Sequence, residues 1–142
     1  MKKRILVIED DPASMRLTQY ILEHKGYKVI LAVNGLDVLK KAKTEAPDLI
    51  VLDVMLPGID GFGICSNLRA EPETAKLPII MLSAKARDVD RDTGLKVGAD
   101  LYITKPVSPD KIAESVETLL SRGTRDASVP EKEVEKRKAR TA

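Results

Sequence analysis

Cysteine is nearly missing from the chain. Cys65 is the only one, so no internal disulfide can form, and its setting among small and apolar residues at helical spacing reads as a buried thiol, not a redox centre. Histidine is as scarce: His24 has no second His or Cys beside it to make a metal site, and it stands near the end of a helical stretch, where an imidazole favours the helix dipole. No run approaches the ~20 apolar residues of a membrane span. The four apolar residues after Met1-Lys2-Lys3-Arg4 fall short of the roughly seven that a signal-peptide core needs. A soluble, reducing, cytoplasmic setting is the expectation. An excess of one charge sign is missing too, since 24 Lys and Arg face 22 Asp and Glu for a net charge of +2. Composition therefore gives no push toward nucleic acid or an anionic membrane.

What the chain does have is alternation. Its 142 residues, 43% of them hydrophobic, suffice for one sizeable core and are too few for two ordinary domains. Short apolar runs at 5–8, 27–31, 49–52, 79–82 and 101–104 alternate with amphipathic stretches at 15–25, 35–45, 62–69, 89–97 and 109–120. Crossover helices between parallel strands produce this order, and ILVI, LIVL and IIML have the continuous apolarity of strands covered on both faces. The expectation is a doubly wound (βα)5 three-layer α/β sandwich with a parallel five-stranded sheet in the flavodoxin-like order 2-1-3-4-5. Residues 1–122 form this domain. From Gly123 onward the apolar periodicity stops, and 123–142 read as a charged, solvated tail or linker.

In such sheets ligands sit beyond the carboxyl ends of the strands. Glu9-Asp10-Asp11, Asp53, Ser83 and Lys105-Pro106 all follow apolar runs there. Carboxylates at one edge repel by about 1–4 kcal/mol per pair at 4 Å, depending on screening, so the cluster wants a cation. Oxygen ligands with room for water suit Mg²⁺, or Mn²⁺, which leave places for phosphoryl oxygens. Beside such a cation Asp53 becomes a nucleophile toward a phosphoryl group, with Lys105 and the Ser83 hydroxyl holding its oxygens.

Four blocks, RILVIEDDP, LIVLDVMLPGIDG, IIMLSAKA and GADLYITKP, together resemble the signature of the response-regulator receiver family across residues 4–122. The resemblance implies that Glu9, Asp10, Asp53 and the Met55 backbone carbonyl bind Mg²⁺. It further implies that Asp53 is the phosphoacceptor, that Ser83 and Lys105 contact the phosphoryl group, that Tyr102 is the switch aromatic, and that Lys105-Pro106 is a cis peptide. The implied donor is a phosphohistidine on a sensor kinase or phosphotransfer protein, and slow loss of the phosphoryl group is the only further chemistry, so no enzyme of ordinary turnover is expected. Glu9 stands where the family more often has Asp, while Met55 and Lys85 occupy variable positions that tune phosphoryl lifetime.

On this reading Ser83 moves toward the phosphoryl group and Tyr102 turns inward behind it, changing the face made by the fourth helix, fifth strand and fifth helix. Val107 in place of a frequent Phe, and the acid-containing 114–117 stretch, favour a stand-alone receiver whose output is a protein partner or a homodimer, without direct nucleic-acid contact. A receiver fragment of a larger regulator is the alternative.

Blander readings stand beside these. Pro57, Gly58 and Gly61 are ordinary turn residues. Met15, Leu17, Ile21 and Leu22 make a helical stripe for the core, and Asp88, Asp90, Arg91 and Asp92 a solvated face. A haloacid-dehalogenase-type phosphatase also uses a strand-end Asp but needs an acid two residues later, where Met55 stands. A flavodoxin-type carrier needs a phosphate-cradling first loop, which Glu9-Asp10-Asp11 would repel.

Overall fold

The computed structural model describes residues 2–9, 11–54, 60–84 and 87–122. Asp10, Met55, Pro57, Gly58, Lys85 and the expected tail lie outside the described residues. In chain order the elements are β1 (Arg4–Ile8), α1 (Pro12–His24), β2 (Lys28–Leu31), α2 (Gly35–Thr44), β3 (Leu49–Asp53), α3 (Gly61–Ala70), β4 (Ile79–Ser83), α4 (Asp88–Val97), β5 (Leu101–Thr104) and α5 (Pro109–Ser121). The strands pair in parallel, as the alternation predicts, and in the expected order β2-β1-β3-β4-β5.

The three inner strands are apolar at both parities because helices cover both faces. On one face Leu6, Leu52 and Met81 pack with Val38 of α2 and Ile64 and Leu68 of α3. On the other, Val7, Val51 and Ile80 pack with Leu22 of α1 and Val116 and Leu119 of α5. Full burial of each such side chain contributes about 1.5–3 kcal/mol. The edge strands β2 and β5 are only half covered and correspondingly less uniform in sequence.

Side-chain caps fix where helices begin. Asp11 accepts from Ser14 N–H ahead of Pro12, which starts α1 three residues earlier than the apolar pattern suggests. The same bond holds the Asp11 carboxyl below its ordinary pKa. At α2, Asn34 accepts from Asp37 N–H while Asp37 accepts from Val33 N–H, a reciprocal cap.

Two expected surfaces are corrected. Leu17 is 56% exposed, whereas Thr18 and Leu22 are buried. A 3.6-residue period anchored on Leu22 points Thr18 and Met15 at the sheet and turns Leu17 to the outside. Asp90 is buried, not solvated, and its carboxylate is bound by the exposed Arg87 guanidinium at 3.0 Å and 3.3 Å. One turn further along α4, Gly94 is buried as well, so this helix turns a charged and a small residue inward.

Candidate functional site

β1, β3 and β5 end at the same edge of the sheet, and there the first ion-pair cluster forms. Lys105, just past β5, donates from Nζ to Asp53 Oδ2 at 2.6 Å and to Glu9 Oε1 at 3.0 Å. Both carboxylates are almost wholly buried, the Glu9 side chain 5% and the Asp53 side chain 2% exposed. Burial is the main reason the Glu9 carboxyl is held above its ordinary pKa, against the pull of the Lys105 ammonium, with the Asp53 carboxylate adding to the rise. At Lys105 burial works against the ammonium, yet Asp53 and Glu9 together hold its pKa above the usual lysine value.

The backbone sets these groups in place. Asp53 is the last residue of β3 and faces Leu82 across the β3–β4 ladder, while Val54 N–H donates to the Leu82 carbonyl at 2.9 Å. Ser83, fully buried, ends β4 opposite Thr104, and Lys105 N–H donates to the Ser83 carbonyl at 2.7 Å. Asp53, Ser83 and Lys105 are thereby fixed on three neighbouring strands. Lys105-Pro106 is a cis peptide. Of the site residues the sequence suggests, Glu9, Asp53, Ser83 and Lys105 are brought to this edge, and Asp10 and Met55 lie outside the described residues.

Tyr102 departs from the expected order of events. Its ring is already inward, 8% exposed, among residues of the α2–α3 side of the core. It lies against Gly94 of α4 and against Met81, its direct partner in the β4–β5 ladder. An inward turn on modification is therefore not required to reach this position.

A second ion-pair cluster sits at the opposite end of β5 and is not visible in the motifs. The Arg69 guanidinium donates to Asp100 Oδ2 at 3.0 Å, to the Gly98 carbonyl at 3.0 Å and 2.7 Å, and to the carbonyls of Ala75 and Leu77. Asp100 also accepts from Ile79 N–H. Gly98 ends α4 at φ +119°, and a Cβ there would come within 2.6 Å of Arg69 Cγ. His24 is exposed and its ring lies tilted against Tyr20, with centroids 4.1 Å apart, and the Cys65 thiol is buried and donates to the Val97 carbonyl at 3.5 Å. Among the described residues no helix is long and apolar enough to cross a membrane.

The family model described as response regulator receiver domain matches residues 5–117. The chain is 49% identical over 122 residues to the alkaline phosphatase synthesis transcriptional regulatory protein PhoP of Bacillus subtilis, covering 86% of this chain and 50% of that protein. It is 43% identical over 122 residues to the DNA-binding dual master transcriptional regulator RpaA of a Synechocystis species, covering 86% and 51%. The chain thus spans about half the length of these curated relatives. Among solved structures, a response regulator receiver domain protein (CheY-like) from Methanospirillum hungatei superposes with a TM-score of 0.79 at 31% identity, covering 86% of this chain and 96% of that one.

Proposed function

From the premise that the chain belongs to the response-regulator receiver family of two-component signalling, we propose that Asp53 is its phosphoacceptor. In the proposed step a carboxylate oxygen of Asp53 attacks the phosphorus of a phosphohistidine on a sensor kinase or phosphotransfer protein. An O–P bond forms, the N–P bond breaks, and its electron pair returns to the imidazole nitrogen, which is reprotonated from water. The single observation carrying the assignment is the Lys105 ammonium shared by the buried carboxylates of Asp53 and Glu9.

That ammonium already stands where cationic charge is needed, and the donors around it are carboxylate oxygens, a set that suits a hard divalent cation. The family typically binds Mg²⁺ at this acidic pocket, and the residues proposed to hold it here are Glu9 and Asp53, together with Asp10 and the Met55 carbonyl. Bound there, Mg²⁺ supplies charge that offsets the repulsion between the carboxylate and the incoming phosphoryl group. Lys105 and Ser83 hold phosphoryl oxygens in this reading, with Lys105 exchanging one carboxylate contact for a phosphoryl oxygen. Residues 1–122 act as the receiver, and 123–142 as tail or linker.

Output is proposed to pass through α4, β5 and α5 to a protein partner or a second copy. The relatives PhoP and RpaA, transcriptional regulators about twice as long, favour a second reading in which this receiver controls an effector domain. Incubation with acetyl phosphate or phosphoramidate, with and without Mg²⁺, tests the core proposal by intact mass. The expected result is a Mg²⁺-dependent gain of one phosphoryl group that Asp53→Asn abolishes. No gain by folded wild-type protein would sink the assignment.

A further inference from the structure

The sequence pattern makes Gly61 an ordinary turn residue, yet its backbone needs none of glycine's freedom. It is the first residue of α3, and the described glycines with positive φ are Gly26 and Gly98. Its conformation is therefore open to any residue. What excludes a side chain is distance. A Cβ at Gly61 would fall 2.7 Å from Val54 Cα, 3.2 Å from the Val54 carbonyl oxygen and 3.4 Å from the Asp53 carbonyl oxygen. Real Cβ atoms essentially never come within 3.0 Å of a neighbour, and these neighbours are backbone, with no rotamer to yield.

Neither side of this contact is free to back away. α3 is seated on the sheet by the buried side chains of Ile64, Cys65 and Leu68, and its first turn is capped by Asp60, which accepts from Phe62 N–H at 3.0 Å. Val54 is buried as well, and its N–H donates to the Leu82 carbonyl at 2.9 Å. The start of α3 therefore lies directly against the residue that follows Asp53. The Asp53 carboxylate receives Lys105 Nζ at 2.6 Å, and a shift of the backbone that carries it moves both of its oxygens.

We propose that Gly61 is a positioning residue: by admitting the start of α3 to backbone contact with Val54, it sets where Asp53 and the chain leaving β3 stand against β4, and so the spacing of the oxygen ligands offered to a divalent cation. The role toward the cation rests on the receiver reading, in which Asp53 and the Met55 carbonyl are ligands on either side of Val54; the steric role does not.

Gly61→Ala is tested beside Gly63→Ala, two residues along the same turn, where a Cβ would meet the Asp60 side chain at 3.4 to 3.7 Å, an ordinary contact. Amide hydrogen exchange reads the steric role, with the Ile50 N–H, bonded to the Pro78 carbonyl at the start of β3, as internal reference. Gly61→Ala is expected to speed exchange of the Val54 N–H at least tenfold relative to Ile50, and Gly63→Ala to leave that ratio within twofold. An unchanged ratio in Gly61→Ala would overturn the steric role and the proposal with it.

Calorimetric titration with Mg²⁺ reads the second role. The dissociation constant should rise at least tenfold in Gly61→Ala and stay within twofold in Gly63→Ala, with phosphorylation by acetyl phosphate slowed in the former alone. A lowered thermal midpoint with an unchanged dissociation constant would make Gly61 purely structural and overturn its positioning role. Gly63→Ala is expected to raise the midpoint by about 2 °C through helix propensity, so the double variant repeats each measurement in a sturdier background. Failure to fold there too would make Gly61 a requirement of the fold and overturn the proposal. Folded wild-type protein that binds no Mg²⁺ and gains no phosphoryl group would overturn the receiver reading and the cation role with it, leaving the steric role to the exchange rates.

Discussion

The two ends of β5 carry opposite solutions to the same problem of a charged side chain out of water. At the start of the strand, Arg69 meets one carboxylate and three backbone carbonyls, and Asp100 returns a bond to Ile79 N–H. One positive and one negative charge cancel there, and five donor positions of a rigid fork are well matched to acceptors. At the end of the strand one ammonium faces two carboxylates. The Arg69 cluster is closed; the Lys105 cluster has a surplus negative charge and a cation that can exchange partners. Structure wants the former, and chemistry that admits another anion and a metal needs the latter.

The largest break in this contrast comes from Arg69→Ala. It strands the Asp100 carboxylate, whose side chain is 10% exposed, and is expected to cost about 3–5 kcal/mol in urea unfolding. A loss under about 1 kcal/mol would mean the clamp carries little. Lys105→Met comes next, at about 2 kcal/mol, because it leaves two buried carboxylates facing each other. Millimolar Mg²⁺ should recover most of that deficit and none of the deficit of Arg69→Ala, which thermal midpoints with and without Mg²⁺ will read out. Asp53→Asn should go the other way. Removing the surplus charge is expected to stabilise the fold by about 1 kcal/mol, so destabilisation in metal-free urea titrations would contradict the idea of an overcharged end.

The smallest effect supplies a reference carboxylate outside both clusters. Chiefly through its bond from Val33 N–H, Asp37 is held below the ordinary carboxylate pKa. Its unfolded form takes up a proton at higher pH than its folded form, so its contribution is complete above the ordinary carboxylate range and is lost as pH falls through the folded value. The midpoint difference between wild type and Asp37→Asn should shrink by about 1–2 °C from pH 7 to pH 3. A difference that stays constant would show that the carboxylate's charge is not what caps α2.

Sequence reading captured the strands almost to the residue, because both faces of β1, β3 and β4 are covered and apolarity is therefore continuous. That Asp53 and Lys105 meet at one edge was legible for the same reason: both interrupt apolar runs at abrupt ends. The start of α1 was missed because Pro12, Ala13 and Ser14 carry no apolar stripe, though Asp11 followed by Pro12 is itself a start signal. Leu17 misled because hydrophobicity without phase cannot tell the buried face from its neighbour. Arg69 was invisible for a different reason, since four of its five bonds go to backbone carbonyls, which every sequence has. Gly94 did leave a trace, a lone glycine inside a helical pattern, but its meaning needed the ring of Tyr102 beside it.

The alternation of side chains along β5 has a mechanical consequence. Leu101 and Ile103 point into the layer shared with α1 and α5, and Tyr102 into the layer shared with α3 and α4. A strand is stiff along its axis, so a shift imposed at Lys105 cannot be delivered to one layer alone. β5 therefore ties the two helical layers together at this edge, as the inner strands do further along the sheet, and a strain at Lys105 loads both.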